Sequence, residues 1–497
     1  MISADVRSTY KPTIGIECHV QLKTATKLFA AVGNDARDAE PNTLISPICL
    51  GLPGVLPVLN KEAVHLAIRA AFALGTEPQK YSEFERKHYF YPDLPMGYQI
   101  SQLAKPIIIG GHVTISVDGQ ETDIRINRVQ LEADAGKSTH PVGKDYSLVD
   151  FNRAGTPLLE IVSEPDLHSA AQAKAYAREL YLRMRYADVS DCNLYYGNMR
   201  FDVNVSVSTN PETFGTRTET KNLNSFRAVE KAVEYEINRQ VELLEKGSQV
   251  VQETRGWDDA KQRTFTQRTK EDAHDYRYMP DPDIPPVALA DSVINAVREE
   301  MPVMPAEWRT RLSGLGLDLP AMETLLEAEL DSPTVSYLAL IEEGIDNKDF
   351  AKALANWFVN FEVPLRAGAE AGHINANYTN QGRLSLYRAV HALIKAGKLS
   401  SSNAKALLTK LLLSSQLITD VEGFAKQHNL IQESDEGEIA KIVAKVIEEN
   451  PKAAQDVKDG ETKAIGFLVG QVMKHSQGRA NPGLASELIK KQLGQEG

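Results

Sequence analysis

Between residues 13 and 290 the chain alternates apolar and polar positions in short runs broken by Gly and Pro. In residues 14–22, IGIECHVQL, this puts Ile14, Ile16, Cys18, Val20 and Leu22 on one face and Glu17, His19 and Gln21 on the other. That is the period of a strand with one buried side. Residues 200–208 repeat it, with Phe201, Val203, Val205 and Val207 inward and Asp202, Asn204 and Ser206 opposite. In residues 215–222 Arg217, Glu219 and Lys221 share a face, while Glu132 and Glu160 each sit between apolar neighbours. Three helices interrupt the strands. Asn60 caps one over 61–74 that stops at Gly75, and Ser169 caps one running through 181–185. Ser225 caps a third, whose Val229, Val233, Ile237 and Val241 stripe ends at Gly247.

After residues 281–289 proline thins out and a 3.6-residue period takes over. It predicts helices over 292–300, 334–343, 348–360, 383–396, 401–414, 436–449, 464–475 and 484–493, with 367–382 as a loop between two helical sets. The organisation expected is an α+β body over 1–291, an all-helical middle over 292–375 and a helical tail over 376–497.

A chain of 497 residues exceeds what one core usually organises, in keeping with this division. Its 42% apolar and 25% charged composition is that of a soluble globular protein, and no window has the roughly 18 apolar residues of a membrane span. The first residues lack the apolar core of a signal peptide, and Cys18, Cys49 and Cys192 form no paired spacing. A reduced, cytoplasmic protein is expected. The net charge of −12 is uneven: residues 351–497 carry 18 Lys+Arg against 15 Asp+Glu, so the acidity lies in the body. That suits metal in the body and an anionic partner for the tail.

An antiparallel sheet with one wet face shows the same alternation without any function. Five segments, however, fill the polar slot with a single carboxylate beside aliphatic or small neighbours. Gathered on one face, these carboxylates repel unless a cation neutralises them. Hard oxygen ligands favour Mg²⁺, which completes its shell with phosphate and water, and His19 can add a ligand. Carboxylates, metal and phosphate together suggest ATP-driven activation of another carboxylate. Residues 84–102, FERKHYFYPDLPMGYQISQ, interleave basic and aromatic side chains. They read as a surface for a base and phosphate, or as an ordinary loop under the sheet. Residues 134–138, DAGKS, lack the first glycine of a phosphate loop, and no Ser or Cys stands in a nucleophile-elbow setting.

The blocks IGIECHVQLKT, CLGLPGVLPVLN, ERKHYFYPDLPMGYQISQ, LEADAGKSTH, SLVDFNRAGTPLLEIVSEPD, TETKNLNSF and YRYMPDPDIPP, in this order, resemble the B subunit of aspartyl/glutamyl-tRNA amidotransferases. The C-terminal part is similar to that family's helical, YqeY-like tail. The resemblance implies a glutamine-synthetase-like antiparallel sheet forming a cradle, with ATP and Mg²⁺ as cofactors. It implies phosphorylation of the side-chain carboxyl of Glu on misacylated tRNA-Gln, or Asp on tRNA-Asn, followed by amidation with glutamine-derived ammonia. An amidase A subunit and a small C subunit are the implied partners in a heterotrimer. The residues matching the family's metal site are Glu17, His19, Glu132, Glu160, Asp202 and Glu219, with Glu17, Glu132, Asp202 and Glu219 catalytic. Lys87, Arg217 and Lys221 occupy matching polar blocks and are candidate phosphate contacts. In the tail, Lys474, His475, Arg479, Lys490 and Lys491 are candidate tRNA contacts or solvated helix faces. One departure concerns the family's cysteine cluster: Ala30, Val32 and Ser46 stand where thiols are expected and only Cys49 remains, so no zinc is expected and the loop should hold by packing. A free-standing carboxylate–amine ligase and a non-catalytic tRNA-binding module are the competing readings.

Overall fold

The computed structural model describes residues 4–210, 212–269, 276–332, 335–368, 378–432, 436–459, 461–476 and 480–494, in two compact units, Met1–Pro305 and Ala306–Gly497. The first unit is built on a nine-stranded sheet. Its order is Arg263–Thr269, Glu253–Asp258, Thr218–Leu223, Met199–Ser208, Lys11–Gln21, Pro157–Ser163, Gln120–Ala133, Ile108–Ile109, with His112–Val117 also paired to Gln120–Ala133. The strand nearest the N-terminus thus lies in the middle. Its Ile14, Ile16, Cys18 and Val20 are buried with Val203, Val205, Leu159, Ile161 and Leu131 in one core.

Helices Lys61–Ala73, Ala170–Tyr186 and Phe226–Glu245 contribute to that core, each started by the Asn60, Ser169 and Ser225 caps that the sequence predicts. Val229, Val233, Ile237 and Val241 are buried, as their spacing requires. A departure from an all-antiparallel sheet is the pair Thr218–Leu223 and Glu253–Asp258, which runs parallel. Its cause is the connection: parallel neighbours need a crossover, and the 20-residue Phe226–Glu245 helix supplies it. A smaller three-stranded sheet, Met279–Pro280, Glu85–His88 and Tyr98–Ser101, lies by the Gln120–Ala133 strand, where the Gln99 amide donates to the Ala133 carbonyl at 3.0 Å.

The loop that departs from the cysteine pattern is held by more than packing. Lys27 is 1% exposed, and its ammonium donates to the carbonyls of Ala154 (2.6 Å) and Leu44 (2.7 Å), with Cys49 Sγ at 3.6 Å. Ser46 Oγ lies 3.3 Å from the same sulfur. Burial lowers the Lys27 pKa, with Cys49 opposing.

The second unit is helical. Among the described residues it contains five helices that the periodicity does not single out: Pro305–Ser313, Leu319–Asp331, Val363–Ala367, Val421–Gln427 and Pro451–Lys458, all short or weakly patterned. The helix expected over 348–360 ends at Trp357 and widens into a π-turn, Phe358–Glu362. There fully buried Glu362 accepts from Arg366, Arg383 and Tyr387. Of the loop expected over 367–382, residues 369–377 lie outside the described residues, and a helix already begins at Asn380 because Thr379 caps it through the Gly382 N–H. A further core, Ile439–Leu493, joins Val443, Val446, Leu468, Val472 and Leu488.

Candidate active site

The central strand presents Glu17 and His19 away from the core, with partners on both sides set by register. Glu17 pairs with Asp202 on one neighbour, and His19 pairs with Glu160 on the other. Glu132 follows one strand further, opposite Leu158, and Glu219 stands opposite Asn204. The six positions are brought to one sheet face, but as two groups of three. Donor atoms of His19, Glu132 and Glu160 lie within 4.8 Å of one another, and those of Glu17, Asp202 and Glu219 do the same. At that spacing two carboxylates repel by roughly 3–4 kcal/mol each pair at an effective dielectric near 20.

Burial sharpens the conflict, since Glu132 is 2% exposed and Asp202 5%. Burial, chiefly, pushes the Glu132 pKa upward, with Lys87 and the Ser101 hydroxyl pulling back. Burial and then Glu132 push Glu160 up. Glu17 is likewise raised by burial and by Glu160. Asp202 goes the other way: burial would raise it, but Lys221, His19 and the Asn222 N–H together hold it below the usual carboxylate range.

The supporting contacts are specific. Ser101 Oγ donates to Glu132 at 3.0 Å, Asn204 Nδ2 to Glu17 at 3.3 Å and Thr254 Oγ1 to Glu219 at 3.1 Å. His19 Nε2 lies 3.8 Å from Glu132. Lys221 Nζ bridges Asp202 (2.8 Å) and Glu219 (2.9 Å). Lys87 faces the rings of Tyr276 (5.0 Å) and Tyr89 (6.0 Å). Burial would lower its pKa, but Glu132 and Glu160 outweigh this and raise it. Arg217 is exposed just ahead of the Thr218–Leu223 strand and lines a cavity with Glu17, Gly15, Ser206 and Phe214.

Sequence reasoning did not single out Ser101, Thr254, Tyr276 or Tyr278, which surround the site. Ser101 alternates with Gln99 in YQIS, a signal that was available; Thr254 enters only through the parallel pairing. Asp134 is a further anchor, 3.3 Å from both Arg200 and Arg153. In the second unit Lys474 and Lys490 are exposed, His475 lies 3.1 Å from Glu449, and Lys491 lies 3.8 Å from Glu436. Arg479 lies outside the described residues.

Each group offers three hard or borderline donors and leaves positions for phosphate oxygen and water, the donor set that suits Mg²⁺. Burial disfavours the ionised form of Glu17, Glu132 and Glu160, and a cation placed beside them would offset that. Among the described residues, no helix is long and apolar enough to cross a membrane.

Residues 12–295 match the GatB/GatE catalytic domain family and residues 339–493 the GatB domain family. The B subunit of the aspartyl/glutamyl-tRNA(Asn/Gln) amidotransferase of Carboxydothermus hydrogenoformans is 42% identical over 97% of this chain and 99% of its own length. Its counterpart in Moorella thermoacetica is 42% identical over 97% of this chain and 100% of its own length. That of Persephonella marina is also 42% identical, over 97% and 99%. A polar sheet face built around paired acidic groups, matched along nearly the whole chain, places this protein in the GatB/GatE family, among the B subunits of aspartyl/glutamyl-tRNA(Asn/Gln) amidotransferases.

Proposed function

We propose that the chain is the component of a tRNA-dependent amidotransferase that activates the side-chain carboxyl of Glu on misacylated tRNA-Gln, or Asp on tRNA-Asn. It is an ATP-dependent carbon–nitrogen ligase using glutamine as amido donor, working in the cytoplasm with an amidase A subunit and a small C subunit. The observation that carries this reading is the pair of acidic groups on one buried face, flanked by Lys87, Lys221 and Arg217.

A carboxylate is a poor acyl donor because oxide is a bad leaving group. Attack of a carboxylate oxygen on the γ-phosphorus, with ADP departing, supplies a good one; ammonia then adds to the carbonyl and phosphate leaves. Mg²⁺, when bound, spreads the charge of the transferring phosphoryl group. His19, Glu132 and Glu160 would hold one ion and Glu17, Asp202 and Glu219 another. Lys87, Lys221 and Arg217 would hold phosphate oxygens. The small sheet and Tyr89, Tyr276 and Tyr278 line the Glu132 side and limit water, which would hydrolyse the acyl phosphate. Within this reading the cradle, with its glutamine-synthetase-like sheet, spans 1–291, the helical middle 292–375 and the tRNA-binding tail 376–497, for which Lys474, His475, Arg479, Lys490 and Lys491 are the candidate tRNA contacts.

The test is a transamidation assay of the assembled complex with Glu-tRNA and Asp-tRNA supplied separately. Amide formation that requires ATP and divalent metal, with at least one of these substrates, is the expected result. Unchanged turnover of a free carboxylic acid after removal of residues beyond 380 would point to a metabolite ligase instead.

A further inference from the structure

The underside of the large sheet, opposite the acidic face, is fastened in two ways. Under the Lys11–Gln21, Pro157–Ser163 and Gln120–Ala133 strands lie apolar side chains, Ile14, Ile16, Leu159, Ile161 and Leu131 among them. Under the outer strands, Thr218–Leu223, Glu253–Asp258 and Arg263–Thr269, the buried side chains include Thr218, Glu253, Arg255 and Thr264. In their midst is Glu236, fully buried on the crossover helix Phe226–Glu245. Its Oε2 accepts from the Thr218 hydroxyl at 2.8 Å and from Arg239 at 2.8 Å. Its Oε1 accepts from the Thr264 hydroxyl and lies 3.0 Å from Arg255 Nε. One carboxylate thus ties three neighbouring strands to one helix. Burial would raise its pKa, but Arg239, Thr264 and Arg255 hold it below the usual carboxylate range.

Apolar side chains of similar volume would hold a helix to a sheet as well, because the attraction within a buried ion pair is offset by the cost of desolvating it. What directional contacts add is register, and the backbone leaves register loose here. Thr218–Leu223 and Glu253–Asp258 are paired at three positions, Glu219 with Thr254, Thr220 with Arg255 and Lys221 with Gly256. The flanking ladders both slip, one between Phe201 and Val203 and the other between Thr254 and Arg255. A slip of one residue in the pairing turns every side chain of a strand to the other face.

Two of the side chains that Glu236 holds are next in sequence to residues of the upper face. Thr218 lies between Arg217 and Glu219, and Arg255 follows Thr254, whose hydroxyl donates to Glu219 at 3.1 Å. Resting on the function proposed above, we infer that Glu236 is a positioning residue for the reaction: from the underside it pins Thr218 and Arg255, and so sets where Glu219 and Thr254 stand on the upper face. The carboxylate itself touches no reacting group. It acts through the register of a short parallel pair, with one oxygen on the Thr218 strand and the other on the Arg255 and Thr264 strands.

A double-variant cycle on the assembled complex tests the inference with two readouts, the dissociation constant of Mn²⁺–ADP by equilibrium dialysis and kcat for amide formation. Glu236→Gln, nearly the same size but uncharged, is expected to worsen each about 10-fold or more, and Thr254→Val about 10-fold. The two together should be no worse than the poorer single variant. Glu236→Gln combined with Ser101→Ala, whose hydroxyl serves Glu132 instead, should show both effects multiplied. Thr218→Val, which removes a single contact of the carboxylate, takes the place of Glu236→Gln if the latter does not fold. A side chain that serves stability alone lowers the melting temperature without singling out Thr254. Unchanged readouts in Glu236→Gln, or equal coupling to Thr254 and Ser101, would therefore overturn the inference and leave the proposed function standing. A native complex that neither binds Mn²⁺–ADP nor forms amide would remove the proposed function itself.

Discussion

The two acidic groups use nearly the same residue types on the same sheet face, yet one carboxylate in each, Glu132 and Asp202, is pushed in opposite directions. Around Glu132 and Glu160 burial dominates and pushes both pKa values up. Around Asp202 burial is as deep, but Lys221 and the Asn222 N–H reverse its effect. The difference teaches that the direction in which a buried carboxylate is pushed is decided by the cations and donors beside it, here Lys221, His19 and the Asn222 N–H at Asp202.

The largest effects should come from neutralising a member of each group. Glu132→Gln and Asp202→Asn should each lower amide formation by the assembled complex by on the order of 10³-fold or more, with glutamine hydrolysis retained. Full transamidation in either variant would end the assignment of that group to the chemistry.

Stability without metal gives the next test, and there Glu132 and Asp202 should part. Glu17, Glu132 and Glu160 have folded pKa values above their unfolded ones, so the folded chain holds protons that the unfolded chain has released. Their contribution is favourable at low pH and is lost as pH rises from the ordinary carboxylate range through the raised values. Asp202, held down, contributes above its unfolded pKa and loses that contribution as pH falls through the depressed value. In EDTA near pH 7.5, Glu132→Gln should therefore raise the melting temperature and Asp202→Asn should lower it, each by roughly 2–8 °C. Shifts of the same sign would erase the contrast.

Smaller effects should follow from the supporting hydroxyls. Ser101→Ala should weaken Mn²⁺ at the His19 group about 10-fold, while Thr254→Ala leaves that affinity unchanged. Smallest are the tail charges. Lys490→Ala should flatten the salt dependence of tRNA binding by about one unit, and Lys491→Ala by less, because Glu436 lies beside it.

How far the sequence could be read follows from the range of the forces involved. The faces of residues 14–22 and 200–208 were legible because period-two alternation is local, and the helix caps at Asn60, Ser169 and Ser225 because a cap needs only its own first turn. The division of six positions into two groups was not, since it depends on the Lys11–Gln21 strand lying between Pro157–Ser163 and Met199–Ser208. Nor was the placement of Lys221, which depends on a register slip, or the parallel pair, which depends on where a long helix returns the chain. In the second unit the π-turn at Phe358–Glu362 escaped the 3.6-residue period because buried Glu362 has its partners 21 and 25 residues further on.

The central position of the strand nearest the N-terminus also sets a timetable. His19 can meet Glu160 only once residues 157–163 have emerged from the ribosome, and Glu219 can gain the Thr254 hydroxyl only after the crossover helix and the next strand follow. At about 5–20 residues per second these events are separated by roughly 5–20 s. During synthesis the half of the acidic face that carries its own lysine is therefore the last that can be completed.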